Sequence, residues 1–219
     1  MEILDAIRRR RAVRDYTPEK VSPDLLRQLI AAASWAPSAM NEQPWHFTVV
    51  TDRDLMGEIS IHAKAFMLKS LPAMPRPGHF QDILGDPHFN IFYNAPALLV
   101  ISAETQGQWC VEDCAMAAEN TMLAALDLGL GSCWIGFAQA WLNSQEGLET
   151  LGVPQNYRAV APLIIGHPKA EMPPVARKSP PVNWIGDGLL TQVRFPLPAT
   201  IGIQPEPIPE ARVTSPQGI

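Results

Sequence analysis

WAPSAMNEQPWHF, residues 35–47, separates two kinds of sequence. Upstream, Ser22 and Pro23 form a helix start: a hydroxyl that can cap free N–H groups, then a proline at the first helical position. Leu25, Leu26, Leu29, Ile30 and Ala33 follow at helical spacing. Downstream, His46 to Thr51 reads as a strand. Pro37 and Pro44 forbid a helix across the junction. Ser38, Asn41 and Gln43 are spread through it, bracketed by Trp35 and Trp45. A loop held at both ends by regular elements is where binding groups concentrate. Its amides and hydroxyl can read the polar edge of a flat ring while the tryptophans supply apolar walls.

Working outward to the N-terminus, residues 2 to about 10 read as a short helix with Ile3, Leu4 and Ile7 on one face. Arg8, Arg9, Arg10, Arg11 and Arg14 then crowd into seven positions of a chain whose net charge is −5. That makes a local positive focus. Thr17 precedes Pro18 and is pushed toward extended geometry. On an extended segment Arg10, the Ala12 backbone and Arg14 can face one way. Planar guanidinium groups suit phosphate, although a solvated basic face is the simpler reading of such a cluster.

Towards the C-terminus, Asp52 can cap a helix carrying Leu55, Ile59, Ala63 and Phe66 on one face. Residues 71–90 contain Pro72, Pro75, Pro77 and Pro87, and no regular helix is expected there. A long irregular segment in a compact domain commonly has a functional use. ALLVIS, residues 97–102, reads as a central strand. Glu112 to Leu128 reads as the longest helix, its alanines allowing close approach of another element in the core or across a dimer, with Gly129 as its terminator. Gly129 and Gly131 are not a dinucleotide loop, because they follow a helix and Trp134 stands at the third glycine. Asn143 with Glu146 has capping-box spacing, and VAPLIIG, residues 160–166, reads as another buried strand.

Composition sets the outer limits. The chain has 219 residues, 47% hydrophobic and 18% charged, which suits a globular domain with a sizeable core. The acidic balance argues against nucleic-acid binding, and no apolar run approaches the ~20 residues of a membrane span. MEILDAIRRR lacks a signal core, and three cysteines fit a reducing compartment, so a cytoplasmic protein is expected. Cys110 and Cys114 share a helix face but have no histidine near in sequence, and no metal site is expected. Pro196 to Pro216 holds six prolines and reads as an extended arm, or as plain disorder.

Three segments, in this order, resemble signatures of the nitroreductase family of FMN enzymes. Arg10-Arg11-Ala12-Val13-Arg14-Asp15-Tyr16 resembles R-R-S-x-R-x-F/Y. Pro37 to Trp45 resembles P-S-x-x-N-x-Q-P-W, and LGLGSCWIGF, residues 128–137, resembles the third. The resemblance covers residues 2 to about 180. It implies an α+β fold, with a central mostly antiparallel sheet flanked by helices, and an intertwined homodimer with FMN at the interface. It implies that Arg10, Arg11, Ala12 and Arg14 hold the phosphate and ribityl end. Ala12 stands where the family often has serine, so one side-chain hydrogen bond is lost. Pro37, Ser38, Ala39, Asn41 and Gln43 would meet the partner's flavin. Ile135 and Gly136 would bring backbone amides to the isoalloxazine, and Arg177 or Lys178 would close over the phosphate. Residues 71–90 would form a lid, with His79, Phe80 and His88 as candidates to meet substrate.

The same resemblance implies that the cofactor carries the chemistry, so no catalytic side chain is expected. The implied activity is reduction of nitroaromatic, quinone or related electron-poor substrates by NADH or NADPH, through a ping-pong mechanism. Reductive dehalogenation or other flavin chemistry on the same fold, and a non-catalytic FMN carrier or sensor, are the alternatives. The implied organisation is an FMN-binding domain over residues 1–194, then a proline-rich arm over 195–219 that crosses to the partner subunit.

Overall fold

A computed structural model describes residues 1–70, 77–186 and 189–194. The chain divides into two compact units, Met1–Pro174 and Val175–Ile219.

In the first unit α1 (Ile3–Arg9) is followed by α2 (Pro23–Ser34), a short 3-10 turn (Ala39–Asn41), β1 (Trp45–Val50), α3 (Arg53–Ser70) and α4 (Pro77–Gly85). Then come β2 (Ala97–Glu104), α5 (Cys110–Asp127), β3 (Gly131–Trp134), α6 (Gly136–Leu142), α7 (Gln145–Leu151) and β4 (Tyr157–Gly166). The four strands form one antiparallel sheet in the order β1-β2-β4-β3, flanked by helices, an α+β fold. Seven of the eight β2 residues are buried, so the apolar run at 97–102 is a central strand covered on both faces. Pro162 lies in the other central strand, where a missing N–H is costly, and it sits beside a register shift between Ile101 and Ser102.

Local signals explain the helix ends. The Ser22 hydroxyl accepts from the Leu25 N–H, with Pro23 at the first helical position. Asp52 Oδ1 accepts from the N–H groups of Asp54 and Leu55. At the far end of α5, Gly129 has φ +72° and donates to Leu126, while Leu130 donates to Ala125. This pair of bonds closes the helix and needs a left-handed residue, which glycine provides without strain.

Two expectations are corrected. Residues 71–90 are not irregular throughout, because α4 spans Pro77–Gly85. Proline stands at its first residue, the one helical position that loses nothing by lacking an N–H. Asn143 does not start α7; Ser144 does, accepting from the Gly147 N–H at 3.1 Å. The Asn143 amide instead bonds both the N–H and the C=O of Ala159, and Glu146 receives the Trp141 indole N–H. Ile3 and Ile7 on α1 are exposed, so the apolar face of that helix is uncovered in the single chain.

The second unit contains an antiparallel hairpin, β5 (Pro181–Gly186) with β6 (Leu189–Arg194), in the register Pro181 to Arg194. The arm expected from residue 195 lies outside the described residues.

The arginine segment runs beside the sheet. Ala12 pairs with Ser132 in parallel, the Val13 N–H donates to the Ser132 carbonyl at 3.0 Å, and Tyr16 bridges to Pro168. This close approach depends on Gly131, where an added Cβ would lie 2.7 Å from a Val13 methyl. Gly131→Ala is expected to destabilise the protein by about 1–3 kcal/mol through overpacking. Chemical denaturation with an unshifted midpoint would contradict that.

Candidate functional site

The arginine segment and the end of β3 form one cluster. Arg10 caps α1, is 22% exposed at the side chain, and its Nε lies 3.5 Å from Glu119 Oε1 on α5. Arg11 turns back to the protein: its guanidinium donates to the carbonyls of Arg8, Arg10 and Pro173. Arg14 is exposed, with its guanidinium carbon 5.8 Å from the centre of the Tyr93 ring. Burial pushes the Cys133 thiol up, and the guanidinium groups of Arg14 and Arg10 oppose that rise. Ile135 is buried and its N–H donates to the Pro162 carbonyl at 2.8 Å. Gly136 is exposed, and a Cβ built there meets nothing within 4 Å. As the first residue of α6, it has an N–H without a helical partner. A cleft of about 540 Å³ is lined by Arg9, Arg10, Arg11, Gly131 and Ser132, with Met122 and Leu126 of α5.

The loop from Pro37 to Gln43 forms the second cluster. Met40, Asn41 and Gln43 have φ of 51°, 58° and 52°, conformations that disfavour side chains with a Cβ. Hydrogen bonds hold Asn41, Gln43 and the adjoining Ala39. The Ser38 hydroxyl accepts from the Gln43 N–H at 3.0 Å, and the Gln43 amide donates to Asn41 Oδ1 at 3.2 Å. The Ala39 N–H donates to Asp113 Oδ1 at 3.1 Å. Asn41 and Gln43 are exposed, and beside them Trp35 and Met40 are 86% and 93% exposed.

Sequence reading missed Asp113. It is 2% exposed in the first turn of α5, and its Oδ2 is buried without a partner. One acidic residue among several on a helix gives no signal in sequence; only the fold brings it under Ala39. Its neighbours Cys110 and Cys114 are buried, and desolvation pushes the Cys114 thiol up to about 12. Such thiols stay protonated and inert near neutral pH.

The two clusters do not meet within the chain. β1, which the loop enters, and β3 are the two edges of the sheet, three strand spacings or about 14 Å apart. The start of β1 is level with Ala103 on β2, whose neighbour Glu104 pairs with Tyr157, whereas β3 starts at the other end, at Gly166, and the chain runs back as far as Ile135, whose N–H meets Pro162. Helix α5 runs between them, and from Asp113 under the loop to Gly129 before β3 it spans about 24 Å.

A sequence profile of the nitroreductase family matches residues 7–167. The chain belongs to the nitroreductase family. It is 34% identical, over 78% of its length and 87% of the relative's, to an Archaeoglobus fulgidus protein whose provisional name is NADH dehydrogenase/NAD(P)H nitroreductase. It is 27% identical to an iodotyrosine deiodinase of Thermotoga neapolitana, over 83% of this chain and 97% of that one. Among solved structures, a Bacteroides fragilis nitroreductase with bound FMN superposes with a TM-score of 0.69 at 30% identity, covering 89% of this chain and all of that one.

The remaining candidates are dispersed. Phe80 on α4 packs edge-on against Phe137, the residue after Gly136, with ring centres 5.8 Å apart. His88 is an exposed turn residue, and the His79 side chain lies outside the described residues. Arg177 and Lys178 are exposed in the second unit.

Asp113→Ala is expected to free the Ala39 amide. Hydrogen exchange at Ala39 should rise about tenfold or more, as expected for loss of a hydrogen bond to a charged group worth roughly 1.5–3 kcal/mol. Asp113→Asn, which keeps an acceptor, should rise less. Equal exchange in all three proteins would mean that Asp113 does not hold the loop.

Proposed function

We propose that this nitroreductase-family protein is an FMN-dependent oxidoreductase that uses NADH or NADPH to reduce nitroaromatic, quinone or related electron-poor substrates. The observation that carries the reading is the alignment of the Arg10–Arg14 segment with β3, which puts the half-buried Arg10, the exposed Arg14 and the bare surface at Gly136 on one edge. That arrangement suits a ligand with a phosphate at one end and a flat ring at the other. Bound FMN would supply the electron transfer between donor and acceptor. Arg10 and Arg14 hold the phosphate and ribityl end, while the guanidinium of Arg11 shapes the segment through three carbonyls. Gly136 leaves room for the ring and offers its N–H.

The working unit is a homodimer, with the flavin between subunits. The separation of the two clusters supports this, because Ser38, Asn41 and Gln43 cannot reach the Gly136 edge of their own sheet. Two chains with antiparallel α5 helices would bring the start of one beside the end of the other. Ile3, Ile7, Trp35, Met40 and Met116, all exposed in the single chain, are the apolar surface such a partner would cover.

Phe80 packs against Phe137 and so fixes α4 beside Gly136, where it limits which acceptors fit. Donor and acceptor use the same face in turn, which gives ping-pong kinetics. The buried, protonated cysteines and the lack of a long apolar helix among the described residues support a cytoplasmic setting. Reductive dehalogenation is the second reading, favoured by the similarity to the Thermotoga neapolitana deiodinase over 97% of its length.

The purified protein should be yellow and release about one FMN per chain, and anaerobic NADH or NADPH should bleach it. A nitroaromatic or quinone should then restore the spectrum. Bound FMN that neither nicotinamide bleaches would favour a carrier. Replacing both Arg10 and Arg14 with alanine should weaken FMN binding at least tenfold, since each charged hydrogen bond is worth roughly 1.5–3 kcal/mol. Unchanged affinity by fluorescence titration would return the cluster to a solvated face.

A further inference from the structure

Tyr93 and Asn94 adopt φ of 52° and 54° in succession. Positive φ is tolerated by asparagine but is a genuine outlier for an aromatic residue. Such outliers persist only where the surroundings over-determine them, and they gather at ligand clamps. Here the surroundings are specific. The Tyr93 N–H donates to the Asn90 carbonyl at 2.9 Å, and the Phe92 N–H to Asn90 Oδ1 at 2.8 Å. Ile91 and Phe92 are fully buried immediately before it.

The same segment is gripped from α3. Lys64 is only 7% exposed, and its ammonium donates to the carbonyls of Asp86 at 2.9 Å and Phe89 at 2.7 Å. One turn earlier on the same helix face, the Ser60 hydroxyl accepts from the Ile91 N–H at 3.0 Å. A buried ammonium loses its hydration, so it binds those carbonyls firmly and fixes the backbone that carries Phe89. The Phe89 ring then meets the Tyr93 ring edge-on, at 5.6 Å and 80°.

The other face of the problem is Arg14. It is exposed, so burial does not set its direction. Its guanidinium lies 5.8 Å from the Tyr93 ring centre, within the range for attraction to an aromatic face. We propose that Tyr93 is a positioning residue for the flavin site: held in a strained conformation by the Lys64 and Ser60 grip, it aims the Arg14 guanidinium at the flavin. This rests on the reading that Arg14 holds FMN. A preset guanidinium loses less freedom on binding, and that raises affinity without adding a contact to the ligand.

The test is a double-mutant cycle on the dissociation constant for FMN, read by flavin fluorescence, with melting temperature recorded for every variant. Tyr93→Leu should weaken FMN about three- to tenfold, in the range of an exposed to partly desolvated cation–π contact. Tyr93→Phe keeps the ring and should bind within about twofold of the parent. Tyr93→Asn accepts the backbone conformation, so it keeps the loop folded without the ring, and it should weaken FMN as Tyr93→Leu does. In an Arg14→Ala background the Tyr93 substitutions should have no further effect, which a purely structural tyrosine would not produce. If Arg14→Ala leaves FMN affinity unchanged, the flavin role of Arg14 fails and the proposal with it. If Arg14→Ala weakens FMN but Tyr93→Leu and Tyr93→Asn do not, or their effects add in full to that of Arg14→Ala, the positioning role alone is overturned.

Discussion

Helix α5 is the rigid element that both halves of the candidate site rest on, at Asp113 for the loop and at Glu119 for Arg10. Its first turn carries Asp113 under Ala39, and its last turn closes at Gly129 and hands the chain to β3. Its two ends are about 24 Å apart from Asp113 to Gly129, and Arg10 meets it between them, at Glu119. The sheet separates the halves sideways by three strand spacings, about 14 Å, with β1 and β3 at its two edges. One chain carries its arginine segment beside β3 and the side-chain amides of Asn41 and Gln43 beside β1, at opposite edges. Two chains offer both, twice.

Each half is held by different physics. The arginine edge is backbone pairing made possible by a missing side chain: Gly131 lets Val13 approach β3. The amide loop has three residues in left-handed conformations, with Ser38 accepting from the Gln43 N–H, Asn41 accepting from the Gln43 amide and Asp113 accepting from the adjoining Ala39. Strain of about 1–3 kcal/mol per such residue is tolerable only when the surroundings over-determine the conformation. The tyrosine at 93 follows the same rule on the opposite side of the molecule's function, next to Arg14. Strained backbone thus occurs beside both candidate half-sites and is compensated by buried polar anchors, Asp113 in one case and Lys64 in the other.

Much of this was legible in the sequence because the signals were local. Ser22 and Pro23, Asp52, the ALLVIS run and Gly129 act on their own neighbours, and the structure uses them as read. The three motif segments were legible because their resemblance to the family is itself local. What was not legible depends on contacts remote in sequence. Pro77 looked like a helix breaker among other prolines but begins α4. Asn143 had capping spacing, yet Ala159 on β4 takes its amide and leaves the cap to Ser144. Asp113, Lys64 and Tyr93 are ordinary residues until the fold brings Ala39, Phe89 and Arg14 to them.

The central claim is that a flavin site needs one edge from each of two chains, and mixed dimers test it most directly. One chain would carry Arg10→Ala with Arg14→Ala, the other Asn41→Ala with Gln43→Ala, each with a different tag so that the heterodimer can be isolated. A shared site predicts little FMN in either parental homodimer and close to one FMN per heterodimer, since one of its two sites then receives an intact half from each chain. A site built within one chain is damaged in every subunit, so a heterodimer as empty as its parents would contradict the account.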